Sequence, residues 1–393
     1  MRVIYILNTT DPHGGSTKSF LSMITRLQQF GVIPFVIVQN NEGVCRQLEQ
    51  QRIAYRALSY RLAVYPPTES LRDVLLFLPR LIGRLFLNWR ASNKLCGIIR
   101  EFKPDIVHTN VSVLSIGNRA ARRTGVPHVW HIREYGDRDF NMHFYPSRRS
   151  HLHDLQAPGT WSICITRDVA RYNQLTDNPT ARVIYNGIVP AEEAAVIQGT
   201  KREDIFLYTG RIEHGKGITD LVSAFIQSLP RMQTKHRLLL VGRVEEPKCF
   251  NRAQQLIAQA HANDYIEFTG ETSDIDSYMR KAKAVIVPSL SEGFGRVMPE
   301  AMWRGTPVIA RNCSGLKEQF DNGIRLTGGE IGLRFDTTDE LAEHIARIAN
   351  EGLAPYSDMI ERARTTVSTL YTNERYAEQV LAFYQEILDK KKR

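Results

Sequence analysis

Between Ala284 and Arg311 the chain reads AVIVPSLSEGFGRVMPEAMWRGTPVIAR, with Glu292 in the turn Ser291-Glu292-Gly293-Phe294-Gly295 and Glu300 eight positions later. The apolar runs Ala284–Val287 and Pro307–Ala310 have the length and β-branching of buried parallel strands. Arg296–Trp303 supplies about two helical turns between them, stopped by Gly305, and Pro299 falls early enough for its missing N–H to cost little. A glycine turn that opens a helix after a strand leaves backbone N–H groups unpaired and outward, which makes an anion site. A carboxylate beside such a site makes chemical sense if it grips hydroxyls rather than phosphate. The ligand implied carries phosphate in its middle and polyols at its ends, as a nucleotide-sugar does.

The elements that must position these residues alternate along the chain. In the first half, strands are expected at Arg2–Leu7, Val32–Val38, Ala54–Leu58, Ile106–His108, Pro127–Ile132, Trp161–Thr166 and Arg182–Tyr185. Helices are expected at Lys18–Gln29, Asn40–Gln51, 70–103, Val111–Arg123 and Arg167–Gln174, which implies a parallel sheet with helices on both faces. Residues 134–160 are polar, aromatic and irregular, and read as a loop near a cleft. Asn186-Gly187 turns the chain and Ile188–Arg202 reads as a polar linker. A second series of strands starts at Ile205–Tyr208, Arg237–Val241 and Tyr265–Phe268, with helices at Ile218–Gln227, Asn251–Ala260 and Asp274–Lys283. After the central stretch come short elements at Glu318–Phe320 and Gly332–Phe335, a helix at Asp339–Asn350, and a last helix at Asn373–Asp389 before a basic KKKR end. Two similar α/β halves of this size suggest a ligand cleft between them at the strand carboxyl ends.

Composition bounds the class. The 393 residues are 42% hydrophobic and 24% charged, ordinary for a globular chain of two or three domains. The five cysteines (Cys45, Cys96, Cys164, Cys249, Cys313) are scattered without a C-x-x-C, so reduced thiols are expected rather than a disulfide framework or zinc site. The start, MRVIYILNTT, reads as a strand without signal-peptide architecture, and no run has the length of a membrane span. Charge is uneven: residues 1–188 hold 24 Lys+Arg against 13 Asp+Glu, and residues 189–393 hold 27 against 29. No nucleic-acid module pattern is present, so the basic half points to an anionic membrane surface or acceptor, or to a solvated basic face. In 70–103, leucines, Phe86 and Trp89 recur at helical spacing with Arg72, Arg80, Arg84, Arg90 and Lys94 interleaved. Such a helix either lies on anionic headgroups or packs its apolar stripe on the sheet.

Glu292–Gly295 followed by Glu300–Met302 and Gly305–Ile309 resembles the donor-binding segment of the GT4-type retaining glycosyltransferases, whose pattern is E-G-F-G, E-A-M and G-x-P-V-I. The resemblance implies the GT-B fold: two Rossmann-like, doubly wound parallel-sheet domains facing a cleft, with a C-terminal helix crossing back to the first. The domains would be 1–187 on the acceptor side, 188–372 for the nucleotide-sugar donor, and 373–393 as the returning helix. Gly210-Arg211-x-x-x-x-Lys216-Gly217 resembles the family's basic pair, which implies Arg211 and Lys216 on the diphosphate, where charge develops as the sugar departs. Glu292 with the Gly293, Phe294 and Gly295 amides would hold sugar hydroxyls, Glu300 the ribose, and Gly242 and Thr272 would complete the donor contacts. His13-Gly14-Gly15-Ser16 resembles the first-domain glycine loop, in which Gly14 and Gly15 bring backbone N–H groups to phosphate or sugar. His131 would touch the donor sugar, and Arg133 and Glu134 the acceptor. The family's G-G-x-x-E stands here as Ser314-Gly315-Leu316-Lys317-Glu318, with serine in place of the first glycine.

Asp137-Arg138-Asp139 and Asp274-Ile275-Asp276 are read as loop or helix-cap residues rather than metal ligands, since the basic pair supplies the positive charge; no metal or other cofactor is expected. The resemblance implies front-face transfer with retained configuration, the leaving phosphate deprotonating the acceptor, from a UDP- or GDP-sugar to a glycan or lipid-linked acceptor of cell-surface polysaccharide synthesis. Such a chain is expected in the cytoplasm, with peripheral contact to the inner membrane face through residues 70–103 and no nucleic-acid partner. A nucleotide-sugar epimerase of the same fold and a silent nucleotide-sugar or glycan-binding protein are the other readings.

Overall fold

The computed structural model describes residues 1–66, 68, 70–140, 142–191 and 201–392, so residues 192–200 of the expected linker and Arg393 of the basic end lie outside the described residues. The first 187 residues contain β1 (Arg2–Ile6), α1 (Gly15–Gln29), β2 (Ile33–Val38), α2 (Cys45–Gln50), β3 (Ala54–Ala57), α3 (Leu71–Leu75), α4 (Phe77–Phe102), β4 (Ile106–Thr109), α5 (Ile116–Thr124), β5 (His128–Ile132), α6 (Asp137–Phe140), α7 (Arg148–Leu155), β6 (Thr160–Cys164), α8 (Arg167–Tyr172) and β7 (Ala181–Val183). There follow β8 (Ile205–Thr209), α9 (Ile218–Ser228), β9 (Arg237–Val241), α10 (Pro247–Gln259), β10 (Ile266–Gly270), α11 (Ile275–Lys281), β11 (Ala284–Val287), α12 (Val297–Trp303), β12 (Val308–Arg311), α13 (Ser314–Thr327), β13 (Leu333–Phe335), α14 (Thr338–Glu351) and α15 (Ser357–Leu370), and the chain ends in α16 (Asn373–Lys392). Two compact units result: Met1–Gly187 with α16, and Ile188–Thr372.

In the first unit seven parallel strands run in the order β3-β2-β1-β4-β5-β6-β7. Every residue of β4, β5 and β6 is buried, as helices on both faces of a parallel sheet require. The two-residue period of β1 divides its side chains between two cores. Val3 and Tyr5 pack with Phe20 and Met23 of α1 and with Tyr376, Val380 and Tyr384 of α16. Ile4 and Ile6 pack on the opposite face with Leu95 and Ile99 of α4 and Ala120 of α5. The last helix therefore belongs to the first sheet, as expected, because its buried residues recur at i, i+4, i+7 and i+8 and face α1.

The second unit has six parallel strands in the order β10-β9-β8-β11-β12-β13. Strand order reverses between β8 and β11, the place where doubly wound sheets open a ligand crevice at their carboxyl edge.

Several local expectations change. The 70–103 segment is two helices, the first capped by Ser70, which accepts from the Asp73 amide. Residues 134–160 contain α6 and α7 instead of an irregular loop: the Asp139 carboxylate ties down the Tyr135 and Gly136 amides, at 3.0 and 2.7 Å, and Ser147 caps α7. The helix expected over Asn40–Gln51 is confined to Cys45–Gln50, and α13 and α15 extend through residues where only a short element or none was anticipated.

Candidate active site

The loops that follow β8, β9 and β10 at the carboxyl edge of the second sheet are built on glycine. Gly242 has φ +152°, and a Cβ there would lie 1.8 Å from the Gly210 carbonyl oxygen, so these two loops meet backbone to backbone. The Gly210 amide donates to Val241 (3.0 Å) and the Gly242 amide to Gly270 (2.9 Å). Thr272, two residues past β10, is exposed, and its hydroxyl accepts from the Asp274 amide at 3.1 Å to hold the turn into α11. Asp274 in turn caps that helix through the Ser277 amide.

The β8 loop returns toward β11. Gly217 has φ +68°, and a Cβ on it would stand 2.2 Å from the Pro288 carbonyl oxygen, so only glycine lets the loop lie this close. The Leu290 amide donates to Gly215 at 3.0 Å. This contact delivers Lys216 to the loop after β11: its Nζ lies 2.6 Å from Glu292 Oε1, which also accepts from the Ser289 hydroxyl at 2.8 Å. Both side chains are about one-fifth exposed, a water-poor setting in which an ion pair is stronger than at the surface. Arg211 points its Nη2 at Glu213 Oε1 (3.0 Å), and the Tyr208 hydroxyl donates to the Arg211 carbonyl oxygen (2.6 Å). Burial raises the Glu213 carboxyl above its ordinary range, against the pull of Arg211 and Lys216. Burial also lifts the Tyr208 phenol well above its usual value, with Glu292 and Glu213 adding to it.

The glycine turn is pinned from below. The Gly315 amide donates to the Glu292 carbonyl oxygen (2.9 Å), the Gln319 amide nitrogen donates to that of Phe294, and Gly295 has φ +80°. Phe294 is buried edge-on against Tyr371 at 5.4 Å. A Cβ at Gly315 would meet the Gly293 carbonyl oxygen at 2.5 Å. Ser314, which stands where glycine was expected, still has φ +48°, so the backbone keeps a glycine-type conformation with a side chain on it. Glu300 is held by Arg296, the residue that precedes its helix, Nε at 3.2 and Nη2 at 3.1 Å from Oε1.

In the first unit, Gly14 precedes α1 with φ −61° and ψ 138°, and its carbonyl accepts from Lys18 at 3.0 Å. A Cβ on Gly14 would make only ordinary contacts of 3.6–3.7 Å with Asp11 and Thr17. Gly15 opens the helix in an exposed position. His131, next to last in β5, has no solvent exposure. Its Nδ1 lies 3.1 Å from His108 Nε2 and 3.4 Å from Arg133 Nη2, and its Nε2 lies 3.4 Å from the Tyr376 hydroxyl. The network continues from His108 Nδ1 to the Tyr384 hydroxyl at 2.6 Å. Burial, then the Arg133 charge, pushes both imidazoles well below their ordinary pKa, so both are neutral.

Arg133 and Glu134 turn inward, and the only bond between them runs from the Arg133 backbone amide to Glu134 Oε2 at 3.2 Å. Arg133 donates from Nε to Asn110 Oδ1 (3.0 Å), from Nη1 to Asn186 Oδ1 (2.6 Å) and from Nη2 to the Tyr376 hydroxyl (2.9 Å). Glu134 accepts from the Ser112 amide (2.7 Å) and hydroxyl (2.8 Å), and burial lifts its carboxyl to about 7 in spite of those bonds. The structure thus joins Lys216 to Glu292, Gly210 to Gly242, and His131 to Arg133. Sequence reasoning missed Glu213, Ser289, His108, Tyr376 and Tyr384. Ser289 had a signal in its place three residues before Glu292; the others are marked only by packing.

Residues 14–187 match the glycosyl transferase 4-like domain, and residues 191–366 match the glycosyl transferases group 1 family. The chain belongs to the group 1 glycosyltransferases. Arg211, Lys216, Glu292 and Glu300 of this glycosyltransferase fall in the group 1 match, and Gly14, Gly15, His131, Arg133 and Glu134 in the 4-like match. It is 28% identical over 189 residues to an N-acetyl-alpha-D-glucosaminyl L-malate synthase of Bacillus anthracis, covering 48% of this chain and 47% of that protein. It is 30% identical over 203 residues to the lipopolysaccharide core biosynthesis mannosyltransferase LpcC of Rhizobium leguminosarum, covering 50% and 55%. The chain thus aligns with about half the length of these curated relatives. Its fold is that of Anabaena HepE, crystallised in complex with UDP-glucose: TM-score 0.75, 18% identity, 98% of this chain and 100% of that one covered.

Proposed function

We propose that this glycosyltransferase moves a sugar, with retained anomeric configuration, from a UDP- or GDP-sugar to a glycan or lipid-linked acceptor of cell-surface polysaccharide synthesis. The observation that carries the reading is the Lys216–Glu292 pair, set where the strand order of the second sheet reverses. A diphosphate entering there competes with Glu292 for Lys216 and with Glu213 for Arg211. Glu292, released from Lys216, accepts from sugar hydroxyls beside the Gly293–Gly295 amides, and Glu300 accepts from the ribose. Gly242 and Thr272 flank the nucleotide. As the bond between sugar C1 and phosphate breaks, negative charge gathers on the diphosphate, and cations already aimed there lower the barrier. The leaving phosphate takes the acceptor proton, so no protein nucleophile is needed.

In this reading residues 1–187 with 373–393 serve the acceptor side and 188–372 the donor. His131 is neutral, which suits it to hold the end of β5 and to offer a sugar a hydrogen bond after a small rotation, and unsuits it to carry a proton. Arg133 and Glu134 shape the acceptor side from beneath. Support for the donor comes from HepE, described with UDP-glucose, and for the acceptor from LpcC, named for lipopolysaccharide core biosynthesis. A lipid-linked acceptor places the chain in the cytoplasm, at the inner membrane face.

Thermal shift against UDP-, GDP- and ADP-sugars tests the donor, since a ligand bound to the native state raises the melting temperature. Nucleotide release with and without acceptor extract then tests transfer. No stabilisation by any of the three, or release of an altered sugar without acceptor, overturns the reading.

A further inference from the structure

The apolar stripe of residues 70–103 has two fates. In the C-terminal half of α4, Ala91, Leu95, Cys96, Ile98 and Ile99 are buried against the first sheet. In its N-terminal half and in α3 the large apolar side chains face outward: Leu71 is 86% exposed, Leu75 80%, Leu78 62%, Ile82 58%, Phe86 55% and Trp89 53%. Twelve large hydrophobics are exposed among the described residues, and seven of them lie between Leu71 and Trp89. At about 100° per residue, Leu78, Ile82, Phe86 and Trp89 fall in one sector of α4 roughly 80° wide, over about 18 Å of helix. A contiguous outward face of this kind marks an interaction surface.

Charge says what covers it. Residues 70–100 carry six Lys and Arg and a single acidic residue, Asp73, which is engaged by Arg80. Arg80 and Arg84 lie on the side of α4 that faces Arg61 and the Val64 carbonyl, whereas Arg90 and Lys94 are exposed and flank the apolar sector. A second copy pairing by two-fold symmetry would set these cations against their own equivalents, whereas an anionic lipid surface meets both the charge and the apolar face. No helix among the described residues is long and apolar enough to cross a membrane, so the contact lies in the interfacial plane.

We propose that the outer face of α3–α4, centred on Leu78, Ile82, Phe86 and Trp89, docks on a bilayer with anionic headgroups, the apolar side chains entering the acyl boundary and Arg72, Arg90 and Lys94 meeting the headgroups. The inference deepens the lipid-linked acceptor reading and rests on it for its purpose. Vesicle binding needs neither donor nor acceptor, so either can fail while nucleotide release reports on the other.

Tryptophan fluorescence gives a clean test, because Trp130, Trp161 and Trp303 are buried and Trp89 is not. With phosphatidylglycerol vesicles at low salt the full chain should float and its emission should shift to the blue; with phosphatidylcholine alone both effects should weaken. Ile82→Glu with Phe86→Glu, at positions more than half exposed and therefore compatible with the fold, should lower vesicle affinity at least about tenfold at unchanged melting temperature and donor turnover. Arg90→Ala and Lys94→Ala should each lower it about fivefold. A wild-type chain that stays in solution with phosphatidylglycerol, or a double variant that floats like wild type, overturns the proposal. So does a blue shift that grows with protein concentration without lipid, which would assign the face to a second copy.

Discussion

Both units hold ionisable groups at the carboxyl edge of a parallel sheet, and they hold them in opposite ways. Around β8 and β11 each cation has a carboxylate beside it, Lys216 with Glu292 and Arg211 with Glu213, in partly exposed loops. Around β4 and β5 the charge is buried among neutral groups: Arg133 among Asn110, Asn186, Tyr376 and His131, and Glu134 on Ser112. A pair that water can reach exchanges partners at little cost, as the donor loop proposed here must. A buried, fully bonded guanidinium cannot move without leaving several groups unsatisfied, so it acts as a rigid frame.

Acid should break this comparison most strongly. His108, His128 and His131 are buried and His151 is half-buried, and burial holds all four below the ordinary 6.5, His128 near 3 and His151 near 4. The unfolded chain takes up those protons below about 6.5 and the folded one does not, so stability falls as pH drops through that value. Glu134 has the opposite sign: its folded pKa of about 7 lies above its ordinary 4.5, so its contribution is full below 4.5 and lost as pH rises through 7. Four histidines outweigh one carboxyl, so between pH 7.5 and 5.5 the first unit should lose stability on balance. Denaturant titration across that range measures it, and Glu134→Gln should steepen the loss.

Lys216→Ala should lower nucleotide release by about 10²–10³-fold, the usual effect of removing one group that stabilises developing charge, with little change in melting temperature. Arg211→Ala should do the same, and turnover equal to wild type would contradict both assignments. Arg133→Met should show the reverse profile, a loss of about 3 kcal/mol of stability, because Asn110, Asn186 and Tyr376 lose a buried partner. If Lys216→Ala destabilised the fold as much as Arg133→Met, the contrast between exchangeable and fixed charge would be wrong. The smallest effect belongs to Ser314→Gly, which relieves a positive φ and should raise stability by less than about 1 kcal/mol with donor affinity unchanged.

Much of the candidate site's local geometry was legible because its determinants are local. The spacing of Glu292, Gly293–Gly295 and Glu300, and the step from Gly210 to Lys216, are properties of single loops, and glycines at Gly217, Gly242 and Gly295 are needed where φ is positive. Gly14 teaches the limit of that argument, since neither its φ nor its surroundings demand glycine. The inward turn of Arg133 and Glu134 was not legible: which way a polar residue just after β5 faces depends on Asn110, Ser112, Asn186 and Tyr376, brought from 22 to 243 positions away.

By itself the amino-acid order determined the alternation of strands and helices, the two parallel sheets and the family, because strand burial and glycine turns are written in runs of neighbouring residues, and the docking of α16 on the first sheet followed from the family resemblance. Only the tertiary structure decided which cation meets which carboxylate and which half of α4 stays uncovered. Those outcomes depend on the distance between segments remote in sequence, and on how much surface the sheet offers for a helix longer than itself to cover.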